Sequence, residues 1–262
     1  RPAGGDFSAG DVLSGPRVLR PVDIALLASM NHGTVPVTRK PVVAVLATGD
    51  ELVQPGEDPG PDQIVASNSY GLAALLENAG ADVRMLPIAR DTPASLAEAF
   101  RLARGADLIL TIGGASVGDH DLVASVAGDV GMDQAFYKVA MRPGKPLMAG
   151  RLNGTPMVGL PGNPVSAMVC GTVFLTPMLN AMMGLGQAPT PRTKMPLAEP
   201  LGENGPREHY MRGIVTNGAV ADAGAQDSSL LSVLACANAL IVRPPRDPDR
   251  AAGDLVDVLP LS

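Results

Sequence analysis

Three carboxylates stand at the ends of apolar runs: Glu51 in TGDEL, Asp91 in ARDTP and Asp121 in GGASVGDHD. Other stretches set cations or hydroxyls beside glycine and proline: Arg142 and Lys145 in MRPGKP, Ser166 in GLPGNPVS. Glycines strip side chains from a loop, so backbone N–H groups can approach a ligand. A helix starting just beyond adds unpaired N–H donors and a partial positive charge. Together they make a cradle for phosphate or another oxyanion. Gly113, Gly114, Ser116 and Gly118 offer one such cradle. Pro161, Gly162, Asn163 and Pro164 repeat the design, with prolines to stiffen the loop and Ser166 as a hydroxyl donor. Arg grips an oxyanion through two parallel hydrogen bonds, while Lys supplies a compact charge. Against these cations stand Asp50, Glu51, Asp91, Asp119 and Asp121. Carboxylates beside an anion site repel the ligand unless a divalent cation intervenes. Magnesium, with oxygen ligands and retained waters, suits that place.

Each feature also has an ordinary reading. A Gly-Gly pair after a strand is commonly a turn. Asp91 stands where it caps or precedes a helix, Glu51 where a loop charge is solvated, and Arg142 and Lys145 read equally as surface cations. His32, His120 and His209 have no His or Cys at ligand spacing. The G-x-x-x-x-G-K-[ST] and G-x-G-x-x-G patterns are absent, which weighs against an ordinary ATPase or dehydrogenase.

The elements that must position these residues follow from hydrophobic periodicity. VVAVLAT (42–48) is a continuous apolar run, as in a strand buried on both faces. NSYGLAALLENAG (68–80) has helical spacing, with Asn68 placed to cap it and Gly80 to end it. Strands are expected over 82–88, 107–114 and 135–141. Helices are expected over 91–105, capped by Thr92, and over 121–130. Asn153-Gly154 between apolar runs predicts a hairpin. A long apolar helix follows over 163–184, kinked or ended at Pro177. Strands alternating with helices predict an α/β fold, a doubly wound, mostly parallel sheet spanning 41–184. In such a sheet ligands bind at the C-terminal strand ends, where TGDEL, GGASVGDHD and GLPGNPVS all lie. Residues 1–40 carry one short helix pattern, PVDIALLASM, and look too short to fold alone. Residues 185–262 read as a small β-rich domain.

The 262 residues carry a net charge of -6, which argues against a nucleic-acid protein held by phosphate attraction. Aromatic residues are 3% of the chain, too few for stacked bases. Cys170 and Cys236 lie far apart without C-x-x-C spacing, so neither a disulfide framework nor a zinc site is expected, and a reducing cytoplasm fits. No apolar run reads as long enough to span a bilayer, so no membrane partner is expected. The chain opens on Arg1 in what reads as mid-protein sequence.

The segments ATGDELVQPGE, IARDTP, LTIGGASVGDHD, MRPGKP and GLPGNPVSAMV, in this order, resemble molybdopterin molybdenumtransferase, the MoeA family that includes the E domain of gephyrin. GGDFSAGDVL before them and QDSSLLSVLACANALIVRP after them extend the resemblance over nearly the whole chain. It implies a MogA/MoaB-like domain at 41–184, a C-terminal β domain, a remnant of an N-terminal domain in 1–40, and an elongated homodimer with its site at the interface. The implied reaction inserts molybdenum from molybdate into adenylylated molybdopterin and releases AMP, with Mg2+ as the metal. Contact with a MogA-type adenylyltransferase would supply the substrate. Carried over by position, Glu51, Asp91 and Asp121 are the catalytic and metal-binding acids, and Asp6 of GGDFSAG matches a further acidic active-site position. Substrate binding falls to Asp6, Thr48, Gly49, Asp50, Gly113, Gly114, Ser116, Gly118, Arg142, Lys145, Pro161, Gly162, Asn163, Pro164, Ser166 and Ser228. Arg142 stands where some members have Lys, and Asp227 stands where a glycine is usual. Two rival readings are a MogA-type molybdopterin adenylyltransferase, which shares the sheet domain but lacks the flanks, and a gephyrin-like scaffold module.

Overall fold

A computed structural model describes residues 2–114 and 122–261. The first strand, β1 (Val42–Ala47), is buried at five of its six residues, as its unbroken apolar sequence requires. It sits inside a six-stranded sheet, with helix α1 (Pro21–Ser29) before it. After it come β2 (Leu52–Val53), β3 (Ile64–Val65), α2 (Ser67–Asn78), β4 (Asp82–Met85), α3 (Pro93–Leu102), β5 (Leu108–Ile112) and α4 (Leu122–Asp129). Then follow β6 (Met132–Tyr137), β7 (Met141–Arg142), β8 (Met148–Leu152), β9 (Thr155–Leu160), α5 (Pro164–Cys170) and α6 (Thr176–Met182). The last part holds β10 (Thr193–Pro196), β11 (Glu208–Thr216), β12 (Ala219–Asp222), α7 (Leu231–Cys236), β13 (Ala239–Arg243) and β14 (Leu255–Pro260).

The large sheet runs β4-β1-β5-β9-β8-β6. Its first four strands are parallel; β8 is antiparallel to β9 through the Asn153-Gly154 turn, where both residues take positive φ. One face packs Val45, Leu110 and Leu160 against Leu72 and Leu76 of α2 and Val165 and Val169 of α5. The other packs Leu46, Ile109 and Met157 against Leu96 and Phe100 of α3 and Val123 of α4. The result is the doubly wound α/β architecture that the alternation predicts.

The second sheet runs β10-β14-β13-β11-β12, with β7 parallel to β11. Its buried Tyr210, Leu240, Val242 and Leu259 join the same apolar cluster as Met141, Leu147 and Leu160. The two sheets therefore share a core, and the loops at their junction are held from both sides.

Four local expectations are corrected. Asn68 does not cap α2: Ala66 holds that position, and the Asn68 amide donates to the Gly162 carbonyl at 2.7 Å. The strand expected over 135–141 is two strands. Lys138 takes a φ of 78°, which turns the chain out of the first sheet so that Met141–Arg142 pairs with the second. The long helix does not end at Pro177, and its irregularity lies one turn earlier: a π-helical turn at Gly171–Leu175 contains Val173, whose carbonyl the Pro177 ring would meet in a regular α-helix. Finally, Pro164–Met182 is 19 residues long and apolar enough, by length and composition, to cross a membrane, contrary to the expectation of no such run. Its Val165, Val169, Leu175 and Leu179 are core residues, and a buried core helix satisfies the same measure.

Candidate functional site

A cavity of about 490 Å3 opens at the C-terminal ends of β1 and β5. It is lined by Thr48, Gly49, Glu51, Asp91, Gly113, Gly114, Gly162 and Pro164, together with β2, β3 and the start of α2. Three loops thus meet where a parallel sheet offers its strand ends. Gly113 has a φ of 91°, and a Cβ there would stand 2.6 Å from the Thr48 carbonyl oxygen. Gly114 has a φ of 68°, and its Cβ would strike Val123 at 2.2 Å. Both positions exclude any side chain. The Gly113 N–H, however, donates to the Leu160 carbonyl at 3.1 Å, so it continues the strand ladder and offers nothing to a ligand. Gly162 is not sterically required, since a Cβ there would make only an ordinary contact with Gly113 at 3.5 Å.

The electrostatics of this cavity are acidic. The Asp91 N–H donates to Asp50 Oδ1 at 3.1 Å, which draws the two acids together. Burial first, then the Asp50 and Glu51 charges, hold the Asp91 carboxyl above the usual carboxylate range. Arg90 does not neutralise them; its guanidinium donates to the Asp50 carbonyl at 2.8 Å. Two buried oxygens close by, Thr48 Oγ1 and Asn163 Oδ1, have no hydrogen-bond partner among the described residues. Unmet polar atoms are costly in a native interior and mark a place for a ligand or water. No group of three His, Cys, Asp or Glu among the described residues is arranged to hold a metal. Glu51 and Asp91 still match magnesium, which takes one or two carboxylates and keeps several waters.

A second cavity, about 350 Å3, lies at the junction of the two sheets. It is lined by Arg142, Lys145, Ser166, Arg207, Asp227 and Ser228, with Pro143, Gly144, Pro146 and Gln226 between them. The β7–β11 pairing makes it: Arg142 registers with His209, which brings Arg207 beside the MRPGKP turn. The Arg207 guanidinium donates to the Met141 carbonyl at 3.3 Å. His209 is buried, and its pKa is lowered to about 4, by burial and then by Arg142, Arg212, Arg243 and Arg207. A neutral imidazole is the form that can sit among four guanidinium groups.

The two cavities meet at the first turn of α5. Pro164 lines the acidic one and Ser166 the cationic one. Asn163 makes no side-chain cap. The Val165 N–H donates instead to the Ser228 carbonyl at 3.2 Å, so the helix start expected to be open to a ligand is partly closed by the C-terminal region.

The structure thus brings Thr48, Gly49, Glu51, Asp91, Gly113, Gly114, Gly162 and Pro164 to one cavity, and Arg142, Lys145, Ser166 and Ser228 to another. Asp50 touches the first through Asp91. Pro161 is buried behind the loop, and Asn163 stands at the helix start. Asp6 is exposed in the N-terminal segment and lines neither cavity. Ser116, Gly118 and Asp121 lie outside the described residues, as do Asp119 and His120. Sequence reasoning missed Arg207 and the buried His209. No local spacing links them to Arg142, because only the long-range β7–β11 pairing does so.

Comparison with known proteins agrees with this architecture. Residues 44–181 match the family described as "Probable molybdopterin binding domain", and residues 194–261 match the MoeA C-terminal region (domain IV). Molybdopterin molybdenumtransferase 2 of Mycobacterium tuberculosis (strain CDC 1551 / Oshkosh) is 37% identical over 273 residues, covering 100% of this chain and 67% of that protein. The molybdopterin molybdenumtransferase of Nostoc sp. is 36% identical, covering 93% of this chain and 58% of its own length. Among solved structures, a molybdopterin biosynthesis MoeA protein from Pyrococcus horikoshii OT3 superposes with a TM-score of 0.81 at 25% identity, covering 98% of this chain and 63% of that one. The chain therefore spans about three fifths to two thirds of these relatives. With its sheet domain and C-terminal region both matched, it belongs to the MoeA family of molybdopterin molybdenumtransferases.

Proposed function

We propose that this chain carries the molybdenum-insertion site of a molybdopterin molybdenumtransferase, which takes adenylylated molybdopterin and molybdate to molybdenum cofactor and AMP. The observation that carries the reading is the pair of cavities of opposite charge on either side of the α5 start. An anionic, phosphate-bearing substrate needs carboxylates that hold a cation and, separately, fixed positive groups for an oxyanion. Glu51 and Asp91 supply the first, and Arg142, Lys145 and Arg207 the second. Magnesium bound by Glu51 and Asp91, with Asp121 as a further proposed ligand, would offset phosphate charge as AMP departs. The chain's own groups do the positioning. Gly113 and Gly114 let the substrate lie against the strand ends, and Thr48 Oγ1 offers a hydroxyl there. Arg142 and Lys145 orient molybdate, with Ser166 and Ser228 as further donors.

We read residues 41–184 as the molybdopterin-binding unit, 185–262 as the small β unit, and 1–40 as part of an N-terminal region. The protein acts as a cytoplasmic homodimer in this reading, with Asp6 placed to serve a neighbouring subunit's site and a MogA-type adenylyltransferase as supplier. The C-terminal match over 194–261 speaks against the chain being itself a stand-alone adenylyltransferase. The test is AMP release from adenylylated molybdopterin with magnesium, with and without molybdate. Molybdate-dependent AMP supports the reading. Silence from this chain and from one extended at its N-terminus overturns it.

A further inference from the structure

The oxyanion pocket holds one group of the wrong sign. Asp227 lines it together with Arg142, Lys145 and Arg207. An acid does not help to bind a fully ionised anion, and this one forms no ion pair within 4 Å among the described residues. Its Oδ1 accepts from the Ser229 N–H at 2.8 Å and from the Ser229 hydroxyl at 2.7 Å. Those bonds, with the Arg212 charge behind them, hold its carboxyl below the usual range, so it is ionised at neutral pH.

The loop that carries Asp227 has little freedom to swing it away. Before it, the Gln226 side-chain amide pairs both ways with the Arg212 backbone, accepting from the N–H at 2.9 Å and donating to the carbonyl at 3.0 Å. The buried Arg212 guanidinium donates to the Ala225 carbonyl at 2.6 Å. After it, the Ser228 carbonyl accepts from Val165 of α5. Anchors at Ala225, Gln226 and Ser228 fix a negative charge in the lining of a cationic pocket.

Resting on the oxyanion-pocket reading above, we propose that Asp227 is a specificity-determining residue: a fixed negative charge that weakens the pocket's grip on dianions more than on monoanions and so speeds release. The repulsion scales with ligand charge, because Coulomb energy is proportional to the product of charges. A tetrahedral dianion feels it about twice as strongly as a tetrahedral monoanion of similar size. Asp227 is exposed, so salt screens the effect.

The test is calorimetric titration of this chain with sodium molybdate, a dianion, and sodium perrhenate, a monoanion of the same shape. It compares wild type, Asp227→Asn and Arg142→Ala at low and high sodium chloride. The Asn side chain keeps the oxygen that accepts from Ser229, so the turn survives, and unchanged Tm checks that. The expected result for Asp227→Asn is tighter molybdate binding by roughly 3- to 10-fold at low salt and tighter perrhenate binding by about 2- to 3-fold. Both gains shrink as salt rises. Weaker or unchanged molybdate binding, or equal gains for the two anions, would overturn the proposal while leaving the pocket in place. If wild type binds neither anion, or Arg142→Ala does not lower affinity, the pocket reading falls and the proposal falls with it.

Discussion

The acidic cavity and the cationic pocket meet at the first turn of α5, yet they are built in opposite ways. The acidic cavity is built around the parallel strand ends of the large sheet, with β2, β3 and the start of α2 completing its wall. Thr48, Gly113 and Gly162 each come just after a buried apolar strand. The cationic pocket is assembled from segments far apart in sequence, at 142–146, 166, 207 and 226–228. What joins them is a two-residue pairing between β7 and β11 and a core shared by both sheets. The first kind of site survives local change as long as the sheet survives. The second depends on how two sheets dock, so Arg212, which does not line the pocket, holds the lining residue Gln226 in register through its backbone.

The largest effects test that division directly. Glu51→Ala and Asp91→Ala are expected to lower molybdate-dependent AMP release by roughly 10²- to 10⁴-fold with the fold intact by circular dichroism. Molybdate affinity in the cationic pocket should hardly change in either variant. Lys145→Ala should do the reverse, weakening molybdate by about 10- to 100-fold, the worth of one charge-assisted hydrogen bond. If the acid variants lose molybdate affinity as severely as Lys145→Ala, the two cavities act as one site and the comparison is broken.

A pH test sharpens the comparison from the cationic side. His209 is neutral and buried, with its pKa lowered to about 4. Its unfolded value is about 6.5. The unfolded chain therefore takes up a proton first as pH falls, and stability is lost progressively between about pH 6.5 and pH 4. Allowing for solvent screening, the loss is on the order of 1–3 kcal/mol. His209→Gln should flatten that slope in chemical denaturation at pH 7 and pH 5. An unchanged slope would mean that other groups set it. Gln226→Ala should cost about 1–2 kcal/mol, because two hydrogen bonds to the Arg212 backbone go with it. It should also weaken the pocket's oxyanion binding, and loss of stability without loss of binding would show that the loop is held without the Gln226 amide.

The same division explains how much of the molecule was legible in its sequence. β1, β5 and the 153–154 hairpin are written in local patterns, so the sheet and the residues at its C-terminal edge could be placed. The Thr92 cap was also readable, and its hydroxyl accepts from the Ser95 N–H at 3.3 Å. Asn68 was misread because an amide at a helix start looks like a cap, whereas it donates across 94 residues to Gly162. The break at Lys138 was hidden because left-handed conformation in a lysine has no sequence signal. Arg207 and His209 stayed invisible for the same reason as the pocket they line: long-range pairing, not spacing, gives them their neighbours.

The smallest expected effect is on stability in the acidic cavity, and its sign is informative. Asp91 has its carboxyl pKa raised by burial and by Asp50 and Glu51. The folded chain therefore holds a proton more tightly than the unfolded one, and stability falls as pH rises through the raised value. Asp91→Asn removes the repulsion but keeps the backbone N–H that donates to Asp50. Its Tm at pH 7 should rise above wild type, with the gain fading toward about pH 4, where ordinary carboxylates are protonated. Magnesium should then separate the two chains again. It offsets the repulsion in wild type and raises its Tm, while the Asn variant, lacking one of the proposed carboxylate ligands, responds less. A wild type that is indifferent to magnesium, with a destabilised Asn variant, would show that Asp91 serves the α3 start alone.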